Sequence, residues 1–183
     1  MWELKDPNPV KLIVGILASD DHGLTTARNL LLSHLGAIDL VSDIWPFNET
    51  TYYREQTGPR ILRQFVSVEQ LIGPGALSDL KLRTNELEKE MAKAVPSPFP
   101  RPVNLDPGLI EPSKLILATT KNYSHRIYIG KKIYAEVTLV FDRGAWRPLP
   151  YTYPDYRRQV YLDFFSRVRD KLLQQGRSVT HKK

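Results

Sequence analysis

The sequence predicts an α+β protein in which helices pack against an antiparallel sheet. In the first half, three apolar segments typical of strands and two segments of helical periodicity follow each other in the order βαββα. The second half changes to short extended segments separated by polar turns, and an apolar stripe at helical spacing follows Pro154. The order of the first half, completed by one more strand, is that of a ferredoxin-like layer of helices on a sheet.

The first strand and the first helix are predicted within residues 11–36. Lys11–Asp20 is a short apolar run that ends in polar residues, which is typical of a buried central strand. A helix is predicted after it because four apolar residues recur at helical spacing: Leu24, Ala27, Leu31 and Leu35. Gly36 stands where a glycine commonly ends a helix.

Two strands and a second helix follow in the first half. Residues 38–44 alternate in part between apolar and polar side chains and residues 63–69 alternate again, which predicts strands. A helix is predicted over residues 74–95 from the stripe formed by Leu77, Leu80, Leu87, Met91 and Val95. The proline-rich residues 96–102 end this helix because proline lacks the amide donor, and residues 103–105 are a candidate fourth strand.

The second half is predicted to form a β-meander and a C-terminal helix. Extended segments are predicted at residues 115–121, 126–129 and 133–141, and a turn at Asp142-Arg143-Gly144 leads into residues 145–147. The last helix begins after Pro154, where apolar residues are spaced by four: Val160, Phe164, Val168 and Leu172. We expect this helix to pack on the sheet.

Composition predicts one domain spanning residues 1–183. Apolar residues make up 42% of the chain and charged residues 25%, which is ordinary for a globular protein. Half of the net charge of +6 lies in a basic tail, predicted to be flexible, at about residues 176–183. The absence of cysteine excludes disulfides and thiolate chemistry. Without a signal peptide or a long apolar run, we expect a cytoplasmic protein that does not associate with membranes.

The most informative polar residues lie between the predicted strands of the second half. A three-residue loop at Gly130-Lys131-Lys132 pairs Ile129 with Ile133 and Ile127 with Ala135, so that Arg126 faces Glu136. A second turn, at residues 122–124, pairs Lys121 with His125 and places Thr120 beside Arg126. The sequence therefore predicts a polar row of Thr120, Arg126 and Glu136 across three neighbouring strands.

This row is the candidate functional site. An arginine oriented by a carboxylate, beside a lysine and a hydroxyl, suits a phosphate, and His125 has the chemistry of a general acid or base. We therefore predict catalytic roles for His125 and Glu136; the candidate ligand-binding residues are Lys121, Arg126, Thr120, Lys114, Asp106 and Tyr128. The alternative is that Arg126 and Glu136 form only a solvated cross-strand ion pair.

Three other segments have both a structural and a functional interpretation. Asp20-Asp21-His22-Gly23 precedes the first helix, where helix capping is favoured over metal binding, and no metal site is predicted. Residues 104–108, Asn-Leu-Asp-Pro-Gly, resemble a tight turn in which Asp106 bonds its own backbone or offers a carboxylate to the site. Residues 151–156 place three tyrosines before Arg157 and Arg158, either to anchor the last helix or to stack on a base.

Motifs spread along the chain resemble those of an uncharacterised prokaryotic family, the domain of unknown function numbered four-four-one-six. The motifs are the segments at residues 104–108, 113–115, 118–121, 124–128, 134–139 and 151–156. Some members of that family carry an automatic label of GTP-binding protein, so the resemblance implies GTP binding as an expectation. The chain has neither a phosphate-binding Gly-rich loop with Lys-Ser/Thr nor an Asn-Lys-x-Asp segment, so nucleotide binding requires another architecture.

Two functional hypotheses follow from the sequence. The first is a nucleotide- or phosphate-ligand-binding protein, with or without catalysis, whose polar site lies on the second-half sheet. The second is a noncatalytic module that binds RNA or another protein through basic and aromatic residues. The identity of the ligand and any cofactor stay open at this point.

Overall fold

The computed structural model describes residues 2–49, 54–94 and 97–180. Within these residues it contains nine strands and four helices. The strands are β1 (Val10–Ala18), β2 (Ile38–Val41), β3 (Trp45–Pro46), β4 (Leu62–Ile72), β5 (Val103–Ile110), β6 (Lys114–Thr119), β7 (Ile127–Gly130), β8 (Ile133–Asp142) and β9 (Ala145–Pro148). The helices are α1 (Asp21–Leu35), α2 (Arg54–Thr57), α3 (Leu77–Ala94) and α4 (Gln159–Thr180), with 3₁₀ turns at Pro74–Ala76 and Pro154–Arg157.

All strands belong to one open antiparallel sheet. Its order is β2-β4-β1-β5-β6-β8-β7, with β3 paired to β4 and β9 paired to β8. The part β2-β4-β1-β5, connected through α1 and α3, has the strand order of a ferredoxin-like βαββαβ unit. The predicted α+β class and the ferredoxin-like first half are therefore confirmed.

The sheet lies between two helical layers, each with its own apolar core. One core combines buried residues of β1 with residues of α1 and α3, including Leu24, Leu31 and Leu87. The other combines the opposite face of the sheet with α4, including Phe65, Phe164 and Phe165. Because β1 is covered on both faces, all nine of its residues are buried, as expected for a central strand. The prediction that the C-terminal helix packs on the sheet is also confirmed.

The helix ends follow the predicted local chemistry. The Asp20 carboxylate accepts a 2.7 Å hydrogen bond from the Gly23 amide and caps α1, so the capping interpretation is confirmed. Gly36, with φ of 97°, ends α1, and its amide donates to the Leu32 carbonyl oxygen. Helix α3 was predicted to reach residue 95; residues 95 and 96 lie outside the described ranges.

The predicted order of strands in the second half is wrong. Strand β6 pairs with β8, not with β7, so Lys121 does not pair with His125 and Thr120 is not beside Arg126 in the sheet. The ten-residue β8 accounts for this, because it pairs with β6 on one edge and with the short β7 and β9 on the other. Strand β8 thereby pairs with β6 along one edge and with β7 and β9 at the two ends of the other edge.

The hairpins of the second half agree with the prediction in part. Ile127 pairs with Ala135 as predicted, but Gly130 replaces Ile129 as the partner of Ile133, after a register shift. The β8–β9 turn lies at the predicted place, with positive φ at Arg143 and Gly144.

One further local expectation is wrong. Residues 104–108 do not form a tight turn: they belong to β5, which pairs with β1 along its whole length. Long-range pairing overrides the turn tendency of Asp-Pro-Gly here. Residues 176–180 continue α4, and residues 181–183 lie outside the described ranges, so the flexibility of the tail stays a prediction. No described helix has the length and apolar character that crossing a membrane requires.

Candidate functional site

A cavity of about 400 Å³ opens on the α4 side of the sheet, where β5 and β6 separate. These two strands pair only from Gly108–Leu117 to Ile110–Leu115, and Pro107, which has no amide hydrogen, directly precedes the paired part. The cavity is lined by Phe47, Glu49, Arg63, Lys81, Arg101, Asn104, Asp106, Leu117, Ala118, Thr119, Thr120, Lys121, Arg126, Glu136, Tyr153, Pro154, Asp155 and Tyr156. The break in pairing thus turns one end of a continuous sheet into a cleft.

Arg63 is the buried cation of this cavity, with only 3% of its surface exposed. Its Nη2 donates to Asp155 Oδ2 at 3.0 Å, and its Nη1 lies 3.9 Å from Asp106 Oδ2. Gly15 leaves room for the guanidinium, since a Cβ there would lie 2.9 Å from Nη1. Among the described residues, neither Arg63 Nε nor Nη1 has a hydrogen-bond partner, and the Tyr156 hydroxyl also lacks one.

Burial and charge shift the two carboxylates beside Arg63 in opposite directions. Burial raises the pKa of Asp155 above its usual value, more than Arg63 lowers it. Burial also acts to raise the pKa of Asp106, but the charges of Lys81 and Arg63 and a hydrogen bond from Asn104 outweigh it, so the pKa is lowered. Asp106 is therefore ionised at neutral pH.

Lys81 reaches the cavity from α3, on the opposite side of the sheet. Its buried ammonium donates to the Leu105 carbonyl oxygen at 2.9 Å and to Asp106 Oδ1 at 3.4 Å. Nearby, Glu88 accepts bonds from the Arg101 guanidinium and from the Leu105 amide at 2.7 Å. Burial raises the pKa of Glu88 despite the adjacent Arg101. The cleft therefore connects polar groups from both layers.

The predicted contact between Arg126 and Glu136 is present at the β8 side of the cavity. Arg126 Nε donates to Glu136 Oε2 at 2.7 Å, its Nη1 to the Lys121 carbonyl oxygen at 3.1 Å, and its Nη2 to the Tyr153 hydroxyl at 3.1 Å. Glu136 is 4% exposed, so this is a buried carboxylate and not one of a solvated pair. Thr120 and Lys121 line the same cavity. They follow the end of β6, which pairs with β8 and not, as predicted, with β7.

His125 contacts this group from outside the cavity lining. Its Nε2 lies 3.1 Å from Glu136 Oε2, and its ring stacks on Tyr151 at a centroid distance of 4.1 Å and an interplanar angle of 10°. Tyr123 meets the His125 ring edge-on at 5.3 Å. His125 therefore supports Glu136 and does not face the cavity.

Two candidate ligand-binding residues lie away from the cavity. Lys114, at the other end of β6, pairs with Glu111 at 2.7 Å. Tyr128 is 58% exposed on the edge strand β7, where its ring contacts Tyr134. The structure therefore brings together Asp106, Thr120, Lys121, Arg126 and Glu136, but not Lys114 or Tyr128.

Sequence reasoning missed four charged cavity residues: Glu49, Arg63, Lys81 and Arg101. Asn104, Asp155 and Tyr156 lie in segments that it singled out but were not among the site residues that it predicted. Arg63 carried a usable signal, because it lies two residues before Phe65 in a predicted strand, which places the cation on the same face as that aromatic side chain. Lys81 gives no such signal. It lies on α3, and it reaches the cavity only because β5 and β6 separate, which the sequence does not reveal.

The aromatic and basic segment before α4 is largely used within the fold. Tyr156 is buried against Phe65 and Phe165, which confirms anchoring for this residue. Arg157 donates to the carbonyl oxygens of residues 149, 150 and 152. Burial raises the pKa of Tyr156 well above its usual value, so its hydroxyl stays protonated. Tyr153, 50% exposed, keeps the contact with Arg126.

No metal centre is apparent among the described residues, which contain no group of three or more His, Cys, Asp or Glu side chains placed to hold an ion.

The fold and the cavity together define an α+β protein whose antiparallel sheet is covered by helices on both faces and contains a polar cleft of about 400 Å³. The chain belongs to the family described as Domain of unknown function (DUF4416), whose model matches residues 8–172. No curated protein and no solved structure matches the chain.

Proposed function

We propose that the cavity binds a phosphorylated small molecule of about nucleotide size. The observation that carries this proposal is the composition of the lining, in which five cationic side chains face four carboxylates in a space of about 400 Å³. The formal excess of one positive charge favours an anionic ligand. The volume lies within the range of about 300–1,000 Å³ that is usual for small-molecule sites.

The phosphate is assigned to the exposed side of the cavity. We call Thr120, Lys121 and Tyr153 the rim: they are exposed lining residues, and Arg126 bonds to Lys121 and Tyr153. Glu49 and Pro154 are exposed lining residues too but are not part of the rim. Arg126 lies beside the rim and uses one N–H of each of its three nitrogens, whereas a guanidinium has five N–H groups in all. Its remaining N–H groups, held in orientation by Glu136, are suited to phosphate oxygens.

The organic part of the ligand has an apolar wall available. Phe47, Leu117, Pro154 and Tyr156 line the same cavity as the charged residues. Binding sites commonly combine such a wall with a few polar groups that orient the ligand. The proposal assigns binding and no reaction, because His125, the candidate proton carrier, is outside the lining.

Thermal denaturation with a panel of nucleotides and sugar phosphates tests the proposal. A ligand at 100 times its Kd should stabilise the protein by about 2.7 kcal/mol, which raises the Tm by roughly 5–11 °C for a protein of this size. Lys121→Ala and Arg126→Ala should lose most of this shift. Lys114→Ala is the matched control. It removes the lysine at the start of β6, away from the cavity, and should keep the Tm shift.

Binding of RNA in place of a phosphorylated small molecule is the outcome that would contradict the proposal. If no phosphorylated small molecule raises the Tm, and an RNA oligonucleotide binds with an affinity that falls steeply with salt, the proposal is wrong. The module hypothesis from the sequence then takes its place. An equal loss of ligand stabilisation in Lys114→Ala would also count against the assignment of the phosphate to the rim.

A further inference from the structure

Asp106 is a charged acceptor in the cavity whose hydrogen-bonding capacity is only partly used. Its Oδ2 accepts from Asn104 Nδ2 at 2.7 Å and its Oδ1 from Lys81 Nζ at 3.4 Å. An ionised carboxylate offers about four lone-pair positions, so about two remain. The side chain is 26% exposed and lines the cavity, so a ligand can reach it.

The charges around Asp106 restrict the kind of donor it can accept. Lys81 and Arg63 lie within 4 Å of its carboxylate oxygens, at 3.4 and 3.9 Å. A cationic donor such as an amine would be repelled by both. A phosphate would be repelled by Asp106 itself. The position therefore suits neutral donors, and two open acceptor positions suit a pair of hydroxyls.

Asp106 and the phosphate position lie on different walls of the cleft. Asp106 is on β5, whereas Lys121 follows β6, and Arg126 bonds to Glu136 on β8. The two walls are those that separate where β5–β6 pairing stops. A ligand that spans the cleft can thus place its anionic group on one wall and its hydroxyls on the other.

We propose that Asp106 makes the site selective for phosphorylated compounds that carry vicinal hydroxyls, such as a ribose phosphate or a ribonucleotide. This inference rests on the proposed function, because it requires the phosphate to bind at the rim. The carboxylate accepts two hydroxyl hydrogens, which are charge-assisted hydrogen bonds. Asn104, which donates to Oδ2, holds the carboxylate in place from within the same strand.

The experiment compares matched ligands that differ by one hydroxyl. The probes are ribose phosphate against deoxyribose phosphate, and AMP against its deoxyribose counterpart, with affinities measured by calorimetry on the full chain. A hydrogen bond to a charged group corresponds to roughly a 10- to 100-fold change in affinity. We expect the ribose compounds to bind tighter by about that factor.

Asp106→Asn provides the test of the residue itself. The amide is nearly isosteric but carries no charge and presents one acceptor oxygen, so the variant should bind both members of each pair with similar affinity, near that of the deoxyribose compounds. Its Tm without ligand shows whether it folds. The comparison within the wild-type protein does not depend on that outcome.

The results separate this inference from the proposed function. Equal affinities for ribose and deoxyribose compounds in the wild-type protein overturn the role of Asp106 and leave phosphate binding intact. A preference that follows the base and ignores the sugar hydroxyl overturns it as well. If none of these probes binds while another phosphorylated compound of the panel does, this inference is wrong and the proposed function stands. If no phosphorylated compound binds, both proposals are wrong.

Discussion

Replacing Arg63 with methionine tests the charge arrangement at the bottom of the cavity. Methionine keeps an unbranched chain but removes the cation that lies 3.0 Å from Asp155 and 3.9 Å from Asp106. Asp155 is only 4% exposed, so it would be left as a buried carboxylate without that cation. Breaking a buried pair in this way costs about 3–5 kcal/mol, which corresponds to a Tm lower by roughly 6–20 °C.

Urea and thermal unfolding of the two proteins measure this loss. In Arg63→Met/Asp155→Leu, both charges are removed, and much of the stability should return because no buried charge is left without a partner. Arg143→Met, which removes an arginine that is 86% exposed, is the control and should unfold like the wild-type protein.

The same variant has an expected pH dependence. The pKa of Asp155 is already raised by burial, and losing Arg63 raises it further. A carboxyl group with a higher pKa in the folded than in the unfolded protein takes up protons on folding, so its presence favours the folded state more as pH falls. The stability deficit of Arg63→Met should therefore shrink as the pH is lowered from neutrality. A deficit below about 1 kcal/mol, or one that does not change with pH, would refute this account of the buried pair.

Two further predictions concern local structure. In Gly108→Ala, the new Cβ would lie 2.7 Å from the Ile116 carbonyl oxygen, so we expect the free energy of unfolding in urea to fall by about 1–3 kcal/mol. Gly73→Ala is the control, because no atom lies within 4 Å of its new Cβ. Equal stability of the two variants would contradict the close approach of β5 and β6. Asp20→Ala removes the cap that accepts the Gly23 amide and should lower stability by about 1 kcal/mol, whereas Asp20→Asn should retain most of it; a similar loss in both would show that the negative charge matters more than the cap.

Most of the secondary structure could be predicted because its signals are local. Leu24, Ala27 and Leu31 lie on one face of α1 and are buried together, so their spacing alone identifies the helix. Gly36 needs a positive φ whatever packs around it. The contact between Arg126 and Glu136 was accessible for a related reason, since a short hairpin joins their strands and Ile127–Ala135 fixes the neighbouring pair.

The wrong predictions concern segments whose structure depends on pairing with a strand far away in the sequence. Residues 104–108 have a turn-like sequence, yet β1 pairs with all of β5 and extends them. Lys121 and His125 are close in sequence, and a tight turn between β6 and β7 was the simplest connection. In the folded protein, β8 supplies the partner of β6 instead.

By itself, the sequence determined the class of fold, the ferredoxin-like first half, most element positions and one polar contact of the site. Only the tertiary structure decided that β5 and β6 separate, and that Arg63, Lys81 and Asp155 meet Asp106 there. The physical reason is that hydrophobic periodicity records which side chains are buried, but not against which partner. Strand neighbours and buried charge pairs depend on backbone hydrogen bonds and packing between residues far apart in the chain. Arg63 and Asp155, for example, are 92 positions apart.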